Sequence, residues 1–134
     1  MTRLVLVTVC APLLLALVLA SCSSDTSSKP TIASTDGEEL FSMRALGREP
    51  GCVTCHSLVP ERTLVGPSLA GLSNRASTAV PGLDAETYIK TSIINPDQHV
   101  VDGFDAGKMP QSFGEILSEN QVLALIDYLL EVEE

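Results

Sequence analysis

The sequence predicts an all-α fold, with three to four main helices in one small domain at residues 35–134. Three segments combine helix-boundary signals with apolar residues at helical spacing. No segment alternates apolar and polar residues convincingly, as a half-buried strand would. Between the first two helical segments, glycine and proline are frequent, which predicts loops with short helical turns. These positions are Pro60, Gly66, Pro67, Gly71, Pro81 and Gly82.

The first predicted helix begins at a capping box, in which Thr35 is the N-cap and Glu38 follows three residues later. Apolar side chains then recur at helical spacing, at Leu40, Phe41, Ala45 and Leu46. Gly47 is the expected end of this helix.

Two further helices have clearer boundaries. The second is predicted from about Asp84 to Ile94 and stops at Asn95-Pro96, because the residue before a proline is pushed out of the helical region. The third begins at Ser118, where Gln121 completes another capping box. Its apolar stripe consists of Val122, Leu125, Ile126, Leu129 and Leu130.

The segment Cys52-Val53-Thr54-Cys55-His56 carries the chemistry. Cys-x-x-Cys-His is the spacing at which two thiols bond the vinyl groups of a haem while the adjacent imidazole ligates the iron. A structural zinc site needs four Cys or His ligands, and outside the leader only His99 remains as a fourth. A thioredoxin-like dithiol is expected beside a βαβ pattern, whereas these flanks are turn-rich and helical. One covalent haem c is therefore the predicted cofactor, bonded to Cys52 and Cys55 and ligated by His56.

Residues 1–21 resemble a bacterial lipoprotein signal peptide. Arg3 is the lone charge, and a mainly apolar run extends from Leu4 to Ala20, which is typical of a targeting segment outside the fold. The run ends in Leu19-Ala20-Ser21-Cys22, which resembles a lipobox, so Cys22 is the predicted first mature residue and lipidation site. Ordinary cleavage with a free thiol, a retained signal anchor and chance similarity are the alternatives. Every version except chance similarity places the domain outside the cytoplasmic membrane.

Residues 22–34 form the predicted linker after Cys22. The stretch from Ser23 to Ser34 is rich in serine and threonine, which is typical of a flexible chain. A flexible chain of about a dozen residues spans about 20 Å on average. Either the linker lets the domain reach over a neighbouring complex, or it only keeps the lipid clear of the fold.

From about Gly37 to the C-terminus the chain resembles the class I c-type cytochromes, here in a bacterial lipoprotein form. The resemblance rests on the Cys52–His56 motif, on Gly66-Pro67-Ser68-Leu69 and on Lys108-Met109-Pro110. It implies the class I cytochrome c fold, in which the first and last helices cross close to one covalently bound haem.

Aromatic residues are expected at two places in that fold. At the helix crossing, the resemblance implies contacts among Gly37, Phe41 and Tyr128. Around the haem, Phe41, Tyr88 and Phe104 are the aromatic residues available for packing.

The resemblance also assigns roles around the iron. The Pro67 carbonyl is expected to accept a hydrogen bond from Nδ1 of His56, which fixes the tautomer and raises the basicity of the imidazole. The sixth ligand must be a thioether or imidazole, and the mature chain offers Met43, Met109 and His99. Met43 lies on the first helix and is not expected to reach the opposite haem face, and His99 is interpreted as an ordinary loop histidine. Met109, which precedes a proline as in class I cytochromes, is the predicted ligand.

A finer similarity concerns the segment from Tyr88 to Pro96, together with Gly103-Phe104 and Met109-Pro110. It is similar to the cytochrome c domains of haem–copper oxidase second subunits and to the small lipoprotein cytochromes of quinol-oxidising complexes. The similarity does not choose between these two groups.

The charge balance restricts the partners. Seventeen acidic residues against eight Lys and Arg give a net charge of −9. Nucleic acid and a bare anionic membrane are therefore poor partners. A redox protein, such as a respiratory complex with a basic docking patch, would be steered towards this chain. The alternative is that the charge only provides solubility.

These features predict a lipid-anchored monohaem electron carrier and not an enzyme. It would transfer single electrons at the outer, or periplasmic, face of the cytoplasmic membrane, as a respiratory-chain carrier or as a subunit of a respiratory complex. A His/Met pair favours ferrous iron and leaves no open coordination position. The alternatives are a haem enzyme or gas sensor with a labile sixth ligand, and a purely structural haem subunit.

Overall fold

A computed structural model describes residues 32–133 of the chain. The predicted signal peptide at 1–21, the lipidation site Cys22 and the linker up to residue 31 lie outside the described residues. The described part contains five α-helices: α1 Gly37–Ser42, α2 Leu72–Ala79, α3 Ala85–Ile94, α4 Phe113–Ile116 and α5 Glu119–Glu131. It also contains two 3-10 helices, Cys52–Thr54 and Pro96–Gln98, and two short strands, β1 Ala45–Leu46 and β2 Glu49–Pro50. The all-α prediction is confirmed.

The core lies where α1, α3 and α5 meet, and α2 packs against α3 and α5. Its largest fully buried side chains are Leu40, Leu46, Ile89, Leu125 and Ile126. None of the helices between residues 32 and 133 has both the length and the apolar character needed to cross a membrane.

The N-terminus of α1 differs from the prediction by one residue. Asp36, and not Thr35, is the N-cap, and its carboxylate accepts a hydrogen bond of 2.8 Å from the backbone N–H of Glu39. The Ser34 hydroxyl donates to the Glu39 carboxylate at 2.8 Å. The expected Thr35–Glu38 capping box is therefore wrong, because the sequence offers the same spacing of cap and acid one residue later.

The C-terminus of α1 also differs, because the helix ends at Ser42 and not near Gly47. Beyond it, β1 pairs antiparallel with β2 across a turn in which Gly47 has a φ of 66°, a left-handed conformation that favours glycine. Leu46 is fully buried even so. Leu46 is apolar because it is buried while lying on a strand. Its spacing from the other apolar residues does not distinguish this case from a residue buried on a helix.

The boundaries predicted for α3 and α5 are confirmed to within one residue. Asp84 caps α3 by accepting from the Thr87 N–H at 2.7 Å, and Asn95 terminates it. In α5, the capping box of Ser118 and Gln121 is present in full. Of the predicted apolar stripe, Val122, Leu125, Ile126 and Leu129 are buried and Leu130 is partly buried.

The helices α1 and α5 cross at Gly37, as the resemblance implies. A Cβ atom at Gly37 would lie 2.1 Å from the carbonyl oxygen of Ala124 and 2.7 Å from the Cβ of Tyr128. One turn further along, the rings of Phe41 and Tyr128 have centroids 5.8 Å apart. The missing side chain at Gly37 therefore lets the two helix backbones touch.

The N-terminal end of the domain is fastened to α5 by one buried amide. The Gln121 side chain is only 5% exposed. Its Nε2 donates to the carbonyl oxygens of Ile32 at 2.9 Å and Ser34 at 2.7 Å. The same side chain accepts from the Ser118 N–H through Oε1 at 2.9 Å. Gln121 therefore fixes the place where the predicted linker meets the domain.

Candidate functional site

A large open cleft separates the Cys52–Thr54 turn from the segment that carries Met109. The space between its walls, including the open mouth, is about 1370 Å³. All the site residues predicted within residues 32–133 line it: Cys52, Cys55, His56, Pro67 and Met109. Three further lining residues are the aromatic side chains expected near a haem, Phe41, Tyr88 and Phe104.

One tight turn presents both cysteines and the histidine to this cleft. The N–H groups of Cys55 and His56 donate to the Cys52 carbonyl oxygen at 3.1 and 2.9 Å. The Thr54 hydroxyl donates to the Gly51 carbonyl oxygen at 2.6 Å, which closes the start of the turn. Residues three and four apart on a helical turn share one face. The motif therefore places two thiols and an imidazole side by side.

Gly51 explains how the turn comes to lie against α1. A Cβ atom at this position would lie 1.9 Å from the Met43 carbonyl oxygen, so only glycine fits. The Gly51 N–H also donates to the Arg44 carbonyl oxygen at 2.9 Å. The β1–β2 hairpin thus returns the chain to the end of α1 just before Cys52.

The imidazole of His56 is held on two sides. Its Nδ1 lies 2.9 Å from the carbonyl oxygen of Pro67, as predicted for the ligand's hydrogen bond. On its other side, a Cβ atom at Gly66 would lie 2.5 Å from Cε1 of the ring. The hydrogen bond to a carbonyl requires a proton on Nδ1, so Nε2 is the nitrogen with a lone pair free for a metal.

Several hydrogen bonds hold the loop that carries Pro67. The Gly66 N–H donates to the Cys55 carbonyl oxygen at 2.9 Å, and the Leu69 N–H donates to the Ser57 carbonyl oxygen at 2.8 Å. From α2, the Arg75 guanidinium donates to the carbonyl oxygens of Ser68 and Ala70. The Pro67 carbonyl is therefore presented to His56 by a loop with fixed ends.

Burial dominates the electrostatics of the motif. It lowers the pKa of His56, while the hydrogen bond to Pro67 acts in the opposite direction. It raises the pKa of the Cys52 thiol to about 11, with a smaller contribution from Cys55. At neutral pH the imidazole is therefore neutral, as a metal ligand requires, and the Cys52 thiol is protonated.

The candidates for the sixth ligand differ in where they lie. Met109 is partly buried against the core and lines the cleft. Met43 packs against the core outside the cleft lining. His99 lines the cleft as well, so it lies closer to the site than an ordinary loop histidine would. Met109 is the only thioether that the structure brings to the cleft among residues 32–133.

The residues present fit a covalently held haem. The cleft offers two thiols on one turn, a neutral imidazole with an ordered hydrogen-bond partner, and walls built largely of apolar side chains. Within residues 32–133 there is no cluster of three or more His, Cys, Asp or Glu side chains that could hold a metal ion by itself. The few donor atoms of the cleft thus suit a haem iron, because most of the ligands of that iron belong to the porphyrin and not to the protein.

A comparison with protein families gives the decisive match. The family model described as cytochrome c matches residues 34–133. The chain belongs to the cytochrome c family. This cytochrome c is an electron-transfer haem protein with the class I fold and one covalent haem c. A comparison with curated proteins gave no match.

Two residues of the cleft in this cytochrome c have no signal in the sequence. Arg75 holds the Pro67 loop from α2, a helix that the sequence did not predict. Asp97 lines the cleft and accepts a hydrogen bond from Gly107, ten residues further along the chain. Neither contact follows a local spacing rule, although Asp97 directly after Pro96 is a common turn pattern.

Proposed function

We propose that this cytochrome c is a lipid-anchored monohaem carrier that transfers single electrons at the outer face of the cytoplasmic membrane. It acts as a respiratory-chain carrier or as a subunit of a respiratory complex. The observation that carries the proposal is the cleft, which has Cys52, Cys55 and His56 together on one turn and Met109 in its lining. Bound there, haem c supplies an iron that cycles between the ferric and ferrous states.

The residues of the cleft have distinct roles in this proposal. Cys52 and Cys55 would bond the porphyrin, and His56 would bind the iron with its ring oriented by the Pro67 carbonyl. Met109 would supply a thioether ligand, which stabilises the reduced state. The apolar walls exclude water and raise the cost of the extra charge on the ferric centre. A site filled by two protein ligands suits electron transfer and disfavours substrate binding at the metal.

The anchor in this proposal is the lipid on Cys22, and the predicted linker joins it to the domain. The proposal is supported by the lipobox-like Leu19-Ala20-Ser21-Cys22 after an apolar run. Several acyl chains anchor firmly, whereas one binds only marginally.

The proposed partners are redox proteins with a basic docking patch, such as a respiratory complex. The net charge of −9 supports a positively charged partner. We expect the electron-transfer rate with such a partner to fall as salt is added, because screening weakens the attraction over the distance between the proteins. A rate that does not change with ionic strength would show that charge only keeps this protein soluble.

The decisive experiment compares Met109→Ala with Met43→Ala in the purified haem protein. Loss of the thioether should abolish the sulfur-to-iron charge-transfer band, lower the reduction potential and open the ferrous iron to carbon monoxide. Met43→Ala should change none of these, because Met43 lies outside the cleft lining. An unchanged band in Met109→Ala would disprove Met109 as the ligand. Rapid carbon monoxide binding by the unmodified protein would favour the gas sensor or enzyme.

The anchor is tested separately with Cys22→Ser in the full-length chain expressed in a bacterial host. The unmodified protein should fractionate with membranes and leave them only with detergent. Cys22→Ser should lose the lipid mass from its N-terminal peptide. If the lipid is absent from the unmodified protein and membrane attachment persists, a retained signal helix is the anchor.

A further inference from the structure

The segment before Met109 is a loop with little support of its own. Residues 99–108 contain no helix or strand and are mostly exposed. Gly103 and Gly107 have positive φ values of 88° and 74°, and a Cβ atom at either position would meet nothing within 4 Å. Glycines add backbone freedom to such a loop and raise the entropy lost when it is held in one conformation.

One hydrogen bond joins this loop to the rest of the domain. The backbone N–H of Gly107 donates to Oδ1 of Asp97 at 2.8 Å. Within residues 32–133, no other hydrogen bond joins residues 99–108 to a residue outside them. The link lies two residues before Met109, so it restrains the part of the loop that reaches the cleft.

Asp97 is itself on a firm support. It belongs to the 3-10 helix Pro96–Gln98, which follows α3 directly, and Pro96 is buried and lines the cleft. A carboxylate that accepts a backbone N–H makes a stronger hydrogen bond than a neutral acceptor does. The carboxylate therefore connects Gly107 to the wall of the cleft.

We propose that Asp97 is a positioning residue for the sixth haem ligand. By holding the Gly107 N–H, it keeps the Met109 thioether at the iron and limits its displacement by other ligands. This inference rests on the proposed function, because it requires Met109 to be the ligand.

The proposal predicts a change in competition at ferric iron. Added imidazole can bind only when Met109 leaves, so its apparent affinity measures how firmly the loop holds the thioether. Loss of a hydrogen bond of this kind should make imidazole bind about tenfold more tightly. The sulfur-to-iron charge-transfer band should weaken in the same variant.

The test uses three variants of the intact haem protein, Asp97→Ala, Asp97→Asn and Asp105→Ala. Asp97→Ala removes the acceptor, whereas Asp97→Asn keeps an oxygen acceptor without the charge. Asp105→Ala removes a charge from the same loop and the same cleft lining, and Asp105 makes no hydrogen bond within residues 32–133. Only Asp97→Ala should show the full gain in imidazole affinity and the weakened band.

Three outcomes would overturn the proposal. One is an imidazole affinity in Asp97→Ala equal to that of the unmodified protein. Another is an equal gain in Asp97→Ala and Asp105→Ala, which would assign the effect to charge. The third is amide hydrogen exchange at Gly107 as fast as in an unprotected peptide, which needs no variant at all.

The Met109→Ala variant distinguishes failure of the role proposed for Asp97 from failure of the proposed function. If Met109→Ala loses the charge-transfer band and Asp97→Ala is unchanged, Asp97 is not a positioning residue and the ligand assignment stands. If Met109→Ala keeps the band, the ligand assignment itself is wrong.

Discussion

Gly66 lies against the face of His56, so close that a Cβ atom at residue 66 would be 2.5 Å from Cε1 of the ring and 2.9 Å from Nδ1. A free histidine could swing away from such a methyl group. A histidine bound to iron and hydrogen-bonded to Pro67 at 2.9 Å has no such freedom. The close contact therefore matters most when the haem is in place.

Gly66→Ala should weaken the proposed bond between His56 and the haem iron. The methyl group would displace either the ring or the Pro67 loop, at a cost in stability of about 1–3 kcal/mol. The measurements are the denaturation midpoint and the reduction potential of the haem protein. Gly114→Ala is the matched control. Gly114 lies in α4, and its Cβ would lie 3.4 Å from the Cβ of Ile94 in α3, which is an ordinary contact distance. Equal effects in the two variants would refute the steric argument.

Gly37→Ala should separate α1 from α5. Its Cβ would lie 2.1 Å from a backbone oxygen of Ala124, which cannot rotate away. We expect a loss of about 3 kcal/mol in the free energy of unfolding, since overpacking against backbone forces the helices apart. Chemical denaturation followed by helical circular dichroism measures it. A stability within about 0.5 kcal/mol of the unmodified protein, the range of an ordinary surface substitution, would contradict the crossing described above.

Gln121→Glu should release the N-terminal segment while keeping the capping box. The carboxylate can still accept from Ser118, but it cannot donate to the carbonyl oxygens of Ile32 and Ser34. Leaving these oxygens unpaired should cost about 2 kcal/mol. Ser118→Ala, which loses only the cap, should cost about 1 kcal/mol. The NMR order parameters of the backbone at residues 32–34 should fall in Gln121→Glu alone, and unchanged order parameters there would contradict the prediction.

The phenol of Tyr128 should titrate above its ordinary value of 10.0. Burial raises this pKa, and the charges of Glu38 and Asp36 raise it further. Because the folded pKa exceeds the unfolded one, the folded state keeps a proton that the unfolded state loses. The stability due to this group is therefore complete below pH 10.0 and falls as the pH rises from 10.0 through the folded pKa.

Phenolate absorbance in a Tyr88→Phe background measures this titration, because the chain has two tyrosines. Glu38→Gln should lower the pKa of Tyr128, whereas Glu86→Gln, on a different helix, should leave it unchanged. Added salt should reduce the part of the Tyr128 pKa shift that is due to the neighbouring charges. An equal shift in both variants would contradict the assignment to Glu38.

The parts of the fold that the sequence predicts are those with local signals. In α5, the Ser118–Gln121 box and the apolar stripe agree, so both the start and the buried face follow from neighbouring residues. In the predicted first helix, the apolar residue Leu46 fits a helix by spacing, but it lies beyond the end of α1 and is buried from a strand instead. The helix α2 escapes prediction because, of its eight residues, only Leu72 and Ala76 are buried.

The same distinction applies to the haem site. The Cys52–His56 motif is a single turn, so its spacing alone places its three functional side chains together. The resemblance to a family supplies Pro67, whose hydrogen bond to His56 is present at 2.9 Å. Arg75 and Asp97 act through contacts with backbone atoms of loops five to ten residues away in the sequence, and those atoms do not depend on the residue type. Contacts of that kind leave no pattern in the sequence.

The contact between Gln121 and Ile32 joins residues 89 positions apart, and the helix that carries Gln121 is the last helix within residues 32–133. The cleft wall also needs Leu125 and Leu129 of that helix. During synthesis, the contact between α1 and α5 therefore forms only after the whole segment between them has been added, and closing so long a loop is slow. The cleft that Cys52 and Cys55 line is consequently complete only once α5 has docked.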